Sequence, residues 1–88
     1  MPESQYAITF AQSAQRDLER LPVNVVSRIF PHIEDLAGNP RPPQCRKIVG
    51  SDNLWRIRVG DYRIICEVVD EEQLVDIIAV RHRSQAYR

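Results

Sequence analysis

The dipeptide Gly60-Asp61 separates two runs of alternating apolar and polar residues, and it constrains the fold of this chain more than any other feature. A two-residue turn of this kind admits positive φ and predicts a tight antiparallel hairpin. On its first arm, Leu54 to Val59, the alternation puts Trp55, Ile57 and Val59 on one face and Arg56 and Arg58 on the other. Its second arm runs from Tyr62 to Val69 and carries Arg63 beside the turn, with Ile65 and Glu67 on the same side. A polar turn, Asp70-Glu71-Glu72-Gln73, leads to a third strand from Leu74 to Val80. That strand is apolar at both parities, which predicts a central position in a sheet. Beyond it, Arg81 and Arg83 share a face and His82 points the other way if the strand stays regular.

The first half reads differently. Tyr6 to Phe10 alternates and predicts a short strand. Gln12-Ser13 can cap a following helix in which Ala14, Leu18 and Leu21 recur at helical spacing. Pro22 suits the start of a second helix, where its missing N–H costs nothing. Val25, Val26, Ile29, Phe30, Ile33 and Leu36 form the apolar stripe of that helix. Pro31 lies inside it and either kinks one helix or splits it into two. Gly38-Asn39-Pro40 ends the helical region, and Pro42-Pro43 keep the next stretch extended. The order β-α-α-β-β-β predicts an α+β fold: a small antiparallel-rich sheet with a helical hairpin on one face. The other face is free to hold a site. The 88 residues form a single domain, 1–88, near the size where one core is just sufficient.

A formal net charge of zero conceals a segregation. Residues 38–66 carry five arginines and Lys47 against Asp52 and Asp61; residues 67–80 hold five acids and no base; residues 81–88 hold three arginines and no acid. Eleven of the twelve basic residues are arginine, whose planar fork grips phosphate oxygens bidentately and stays charged at any cellular pH. Pairing of Arg56 and Arg63 with Glu67, Asp61 or acids of the next loop is the plain structural alternative. Exposed cross-strand pairs contribute only about 0.2–1 kcal/mol each, too little to explain the clustering. Two strands aiming guanidinium groups at one side of a sheet predict an anion-binding surface.

Other chemistries find little support. Cys45 and Cys66 form no C-x-x-C pair and have two histidines for company, so neither a metal nor a redox pair is expected. Cys66 reads as a small buried hydrophobe. His32 sits in the second helix, where a surface or packing role is expected. No Gly-rich phosphate loop and no Ser-His-Asp or Cys-His arrangement can be assembled. An enzyme built on this chain would work by electrostatic stabilisation and proton transfer, with no cofactor. The start of the sequence lacks the basic stretch and apolar core of a signal peptide, and no apolar run is long enough to span a bilayer, so the expected compartment is the cytoplasm with no membrane partner.

The chain resembles the small bacterial and archaeal toxins of the RelE/ParE superfamily. The resemblance rests on the strand and helical hairpin with its Leu21-Pro22 junction, on Lys47-Ile48-Val49-Gly50, and on Trp55 through Arg63. The ending Val80-Arg81-His82-Arg83 with Tyr87-Arg88 is similar to the family's closing motif. Such a toxin pairs with an antitoxin, RelB-like or of another family, and meets operator DNA only through that complex. The RelE branch cuts messenger RNA in the ribosomal A site without metal; the ParE branch poisons DNA gyrase and generally lacks the full basic set.

Basic residues at Arg56, Arg58, Arg63 and Arg83, followed by Tyr87, resemble the ribonuclease branch and imply those five as catalytic residues. Arg46, Lys47, Arg81 and Arg88 are the expected nucleic-acid contacts. In the implied reaction the ribose 2′-OH attacks the adjacent phosphate, leaving a 2′,3′-cyclic phosphate and a 5′-OH. Arg56, Arg63 and Arg83 would stabilise the developing charge, and Tyr87 would stack on or orient a base or assist a proton transfer. Some relatives have lysine at the positions of Arg56 and Arg58, where a lysine serves as general base. Arginine cannot readily lose its proton, so Arg58 is expected to stabilise charge and the base is left unassigned. His82 qualifies by its ordinary pKa and not by its expected direction. The alternatives are a non-enzymatic gyrase inhibitor and an inactive co-repressor that binds antitoxin and DNA.

Overall fold

The computed structural model describes residues 5–84. The elements are β1 (Ala7–Phe10), α1 (Gln12–Arg20), α2 (Val23–Asp35), β2 (Cys45–Lys47), β3 (Leu54–Val59), β4 (Tyr62–Val69) and β5 (Leu74–His82), with a 3₁₀ turn at Asp70–Glu72. They make a five-stranded sheet in the order β1-β5-β4-β3-β2, antiparallel except for the parallel pair of β1 and β5. The expected α+β arrangement is present, with one strand more than the sequence suggested. That strand, β2, follows Pro42-Pro43 and pairs antiparallel with β3, Arg46 opposite Arg56.

The hairpin forms as expected. Val59 faces Tyr62, and Gly60 supplies the positive φ of +59° that the two-residue turn needs. Strand β5 is central, between β1 and β4, and a bulge resolves its ambiguous pattern. Ile65 of β4 opposes Ala79, but the next residue, Cys66, opposes Ile77, so Ile78 is one residue too many. The extra residue flips the alternation. Val75 and Ile77 face the helices before it, and Val80 does so after it.

The core lies between that face and the helices. Ile29, Ile33 and Leu36 meet Ile57, Ile64, Cys66, Val75 and Ile77, each at most 1% exposed. Burying such an aliphatic side chain contributes about 1.5–3 kcal/mol. Burial pushes the Cys66 thiol up to about 12, so it behaves as an apolar filler, and both cysteines are free.

Pro31 neither ends nor splits α2, which runs through it. It sits on the exposed side, where the Ser27 carbonyl it leaves without an N–H donor can face water. Phe30 is not buried with the stripe: it lies at the rim, stacked on Phe10 with centroids 5.9 Å apart. Gln12-Ser13 do not cap α1, whose N-cap is Ala11 with no side-chain bond. The Ser13 hydroxyl instead donates to the Ile78 carbonyl, and the Asp17 carboxylate accepts from Val80 N–H at 2.9 Å. Both bonds tie α1 along β5 beyond the reach of β1, whose register stops at Phe10 opposite Ile77. Among the described residues no helix is long and apolar enough to cross a membrane.

Candidate nucleic-acid interface

The face of the sheet turned away from the helices carries rungs of like charge. Arg46 of β2 stands opposite Arg56 of β3. Arg58 of β3 stands opposite Arg63 of β4, and Arg63 opposite Arg81 of β5. Paired residues of neighbouring strands project to the same side, and like charges directly opposite one another are destabilising. Gln44, Arg46, Arg56, Arg58 and Arg63 together line a cleft of about 250 Å³. Arg63 is 8% exposed, the one charged side chain of the described residues that counts as buried, and it forms the cleft's inner wall.

The carboxylates of the alternative pairing are engaged elsewhere. Glu67 accepts from the Asn53 amide at 3.1 Å, and Asp61 lies 4.0 Å from Arg83 Nε. Among the described residues no carboxylate lies within ion-pairing distance of Arg46, Arg56 or Arg58. The cleft lining is thus four guanidinium groups, which only donate, and one amide that also accepts.

The remaining site residues are distributed unevenly. Arg83 sits just past β5, where its N–H donates to the Asp61 carbonyl at 2.7 Å and its exposed side chain reaches out beside the β3–β4 turn. Arg81 projects from the Arg63 rung but bends round the sheet to α1, where its Nε lies 3.4 Å from the Asp17 carboxylate. Lys47 pairs in register with Trp55 and so belongs to the opposite face from Arg46 and Arg56. Tyr87 and Arg88 lie outside the described residues.

His82 turns to the helix side, edge-on to the Tyr62 ring with centroids 5.2 Å apart, which places its imidazole away from the cleft. Sequence reasoning missed Gln44, because its place in the cleft depends on β2, a strand of three residues next to two prolines.

A surface of this kind is chemically suited to phosphate and to negative charge that develops on it. The fold and the charged face together define a class of small proteins in which a helical hairpin covers one face of a sheet and the other face is basic. The model of the ParE toxin of type II toxin–antitoxin systems, parDE, matches residues 8–87. Toxin RelG of Mycobacterium tuberculosis is 31% identical over 87 residues, covering 94% of this chain and 97% of that one. The toxin–antitoxin complex RelBE2 of the same organism contains a chain that superposes with a TM-score of 0.80 at 27% identity, covering 90% of this chain and 99% of that one. In the RelB–RelE antitoxin–toxin complex of Methanococcus jannaschii the TM-score is 0.74 at 31% identity, with 90% and 94% covered. The chain belongs to the ParE toxin family, within the RelE/ParE superfamily of type II toxins.

Proposed function

We propose that this toxin is a ribosome-dependent messenger RNA endonuclease of the RelE type, active in the cytoplasm and held silent by a cognate antitoxin. The observation that carries the reading is the set of opposed arginine rungs without carboxylates beside Arg46, Arg56 or Arg58. A fold that keeps like charges face to face loses stability unless an anion sits between them, and a nucleic-acid backbone is such an anion. Arg46, Arg56 and Arg58 hold the phosphate, with Arg63 behind them and Arg83 approaching from the turn. As the 2′-OH attacks and the 5′-oxygen leaves, negative charge grows on the non-bridging oxygens, and these guanidinium groups stabilise it more than they stabilise the ground state.

None of the described cleft residues readily accepts a proton near neutral pH, so proton transfer falls to a group outside that set. Tyr87 is the chain's own choice for orienting the substrate and assisting that transfer. Inducing the chain in bacteria and mapping transcript 5′ ends tests the reading. Codon-phased cuts in translated messages are expected, and halted growth with intact transcripts overturns it.

The matching family model favours a second reading, gyrase poisoning without RNA cleavage. It predicts DNA breaks and an SOS response that persist when translation is blocked.

A further inference from the structure

We propose that His82 is a positioning residue that clamps the end of β5 and thereby holds Arg83 at the arginine face; the inference rests on the ribonuclease reading for its consequence and on geometry for the clamp. The Ser84 N–H donates to His82 Nδ1 at 3.2 Å, and the Ser84 hydroxyl lies 3.0 Å from the same nitrogen. A backbone N–H cannot accept, so Nδ1 is the acceptor and the proton of the neutral ring is on Nε2.

The ring is fixed against rotation by Tyr62, which meets it at an interplanar angle of 89°. Between these two anchors lies Arg83, whose own N–H donates to Asp61. Two successive amides, one bound to the β3–β4 turn and one to the imidazole, thus set the direction in which the chain leaves the sheet. The arrangement reproduces with a histidine the side-chain-to-backbone bond that asparagine makes to the N–H two residues on.

The groups facing the same hollow as His82 are Asp17 and Arg20 of α1, Tyr62 of β4 and Arg81 of β5 itself, with Ser84 at its rim. Asp17 and Arg81 are paired with each other, and Asp17 also takes the Val80 N–H.

The test compares His82→Ala, His82→Phe and His82→Asn in ribosome-coupled cleavage. Misplacing a transition-state group by about an ångström costs roughly 100-fold, so His82→Ala is expected to lose between about 10- and 100-fold in kcat, with KM little changed. His82→Phe keeps the ring beside Tyr62 and is expected to lose as much. His82→Asn restores the acceptor and recovers most of the rate. In an Arg83→Ala background, His82→Ala is expected to cost nothing further, because it acts through that residue.

Equal rates for Ala, Phe and Asn, or losses that add to that of Arg83→Ala, overturn the proposal. Amide exchange at Ser84 judges the clamp without any cleavage: it is expected to speed up in the Ala and Phe variants and not in Asn, and unchanged exchange overturns the clamp. A wild type that fails to cut ribosome-bound message overturns the ribonuclease reading instead, and the exchange comparison then decides the clamp.

Discussion

On the helix side of the sheet, Arg41 donates through both terminal nitrogens to Asp70, at 2.8 and 3.2 Å, while its guanidinium lies 5.0 Å over the Trp55 ring. The Tyr6 hydroxyl adds a 2.7 Å bond to the same carboxylate. On the open side, one residue along from Trp55, Arg56 faces Arg46 and finds no carboxylate among the described residues. The two arginines differ in what surrounds them. Arg41 links the loop after α2 to Trp55 of β3 and to Asp70 in the turn after β4, which Tyr6 also reaches from just before β1, and its charge is neutralised within the fold. Around Arg56 the fold gathers more positive charge and, among the described residues, supplies no carboxylate to neutralise it. Arginine content does not separate these uses; partner geometry does.

The sharpest way to break this comparison is to give Arg56 a partner of the wrong kind. Arg56→Glu turns the rung with Arg46 into an ion pair, so the fold is expected to hold or gain about 0.2–1 kcal/mol. Cleavage is expected to fall by at least the roughly 100- to 1000-fold that losing one transition-state donor costs. Chemical denaturation beside the ribosome-coupled assay reads both. Unfolding of this variant would show that Arg56 is structural after all.

Next in size, Arg46→Ala is expected to lose about tenfold in cleavage or more, while Lys47→Ala, on the opposite face, changes it little. Equal losses would mean that both faces of β2 meet the substrate.

Arg41→Ala reverses the pattern: cleavage per folded molecule is kept and stability falls. Loss of the cation–π contact with Trp55 alone accounts for about 0.5–1 kcal/mol. A melting curve and a rate measured well below the transition separate the two effects.

The smallest effect is one of pH. The bond from Arg41, then that from Tyr6, holds the Asp70 carboxyl below its ordinary 3.8. A depressed folded value stabilises the protein above the ordinary value, and that contribution is lost as pH falls through the folded one. Bonding to Asp70 raises the Tyr6 hydroxyl above 10.0, so its contribution is present below that value and is lost as pH rises through the folded one. Asp70→Asn is expected to flatten the acid limb of stability against pH below about 4, which urea midpoints at several pH values would detect. An unchanged limb would mean that the Arg41 cluster is not held by charge.

Local chemistry accounts for what the sequence made legible. The Gly60-Asp61 turn, the alternation of β3 and the stripe of Ile29, Ile33 and Leu36 depend on neighbours along the chain. What stayed hidden depends on distant partners. Strand β2 has three residues beside two prolines, and only its pairing with β3 makes it a strand. The bulge at Ile78 decides which side of β5 faces the core, and apolar residues at both parities concealed it. Arg81 meets Asp17, 64 residues away in sequence, a contact that charge counting along the chain could not supply. The clustering of Arg56, Arg58 and Arg63 was readable, and Arg46 and Lys47 were both expected contacts; that these two lie on opposite faces followed only once β2 was in register.

The two bonds from α1 to β5 also bear on how molecules of this chain meet one another. Beyond Ile77, β5 has no strand beside it on the β1 side, and bare backbone groups there would invite a strand from another molecule. Ser13 and Asp17 occupy the Ile78 carbonyl and the Val80 N–H before an intruder can. Removing either side chain therefore exposes a template for sheet growth between copies, and self-association is where its loss would be felt first.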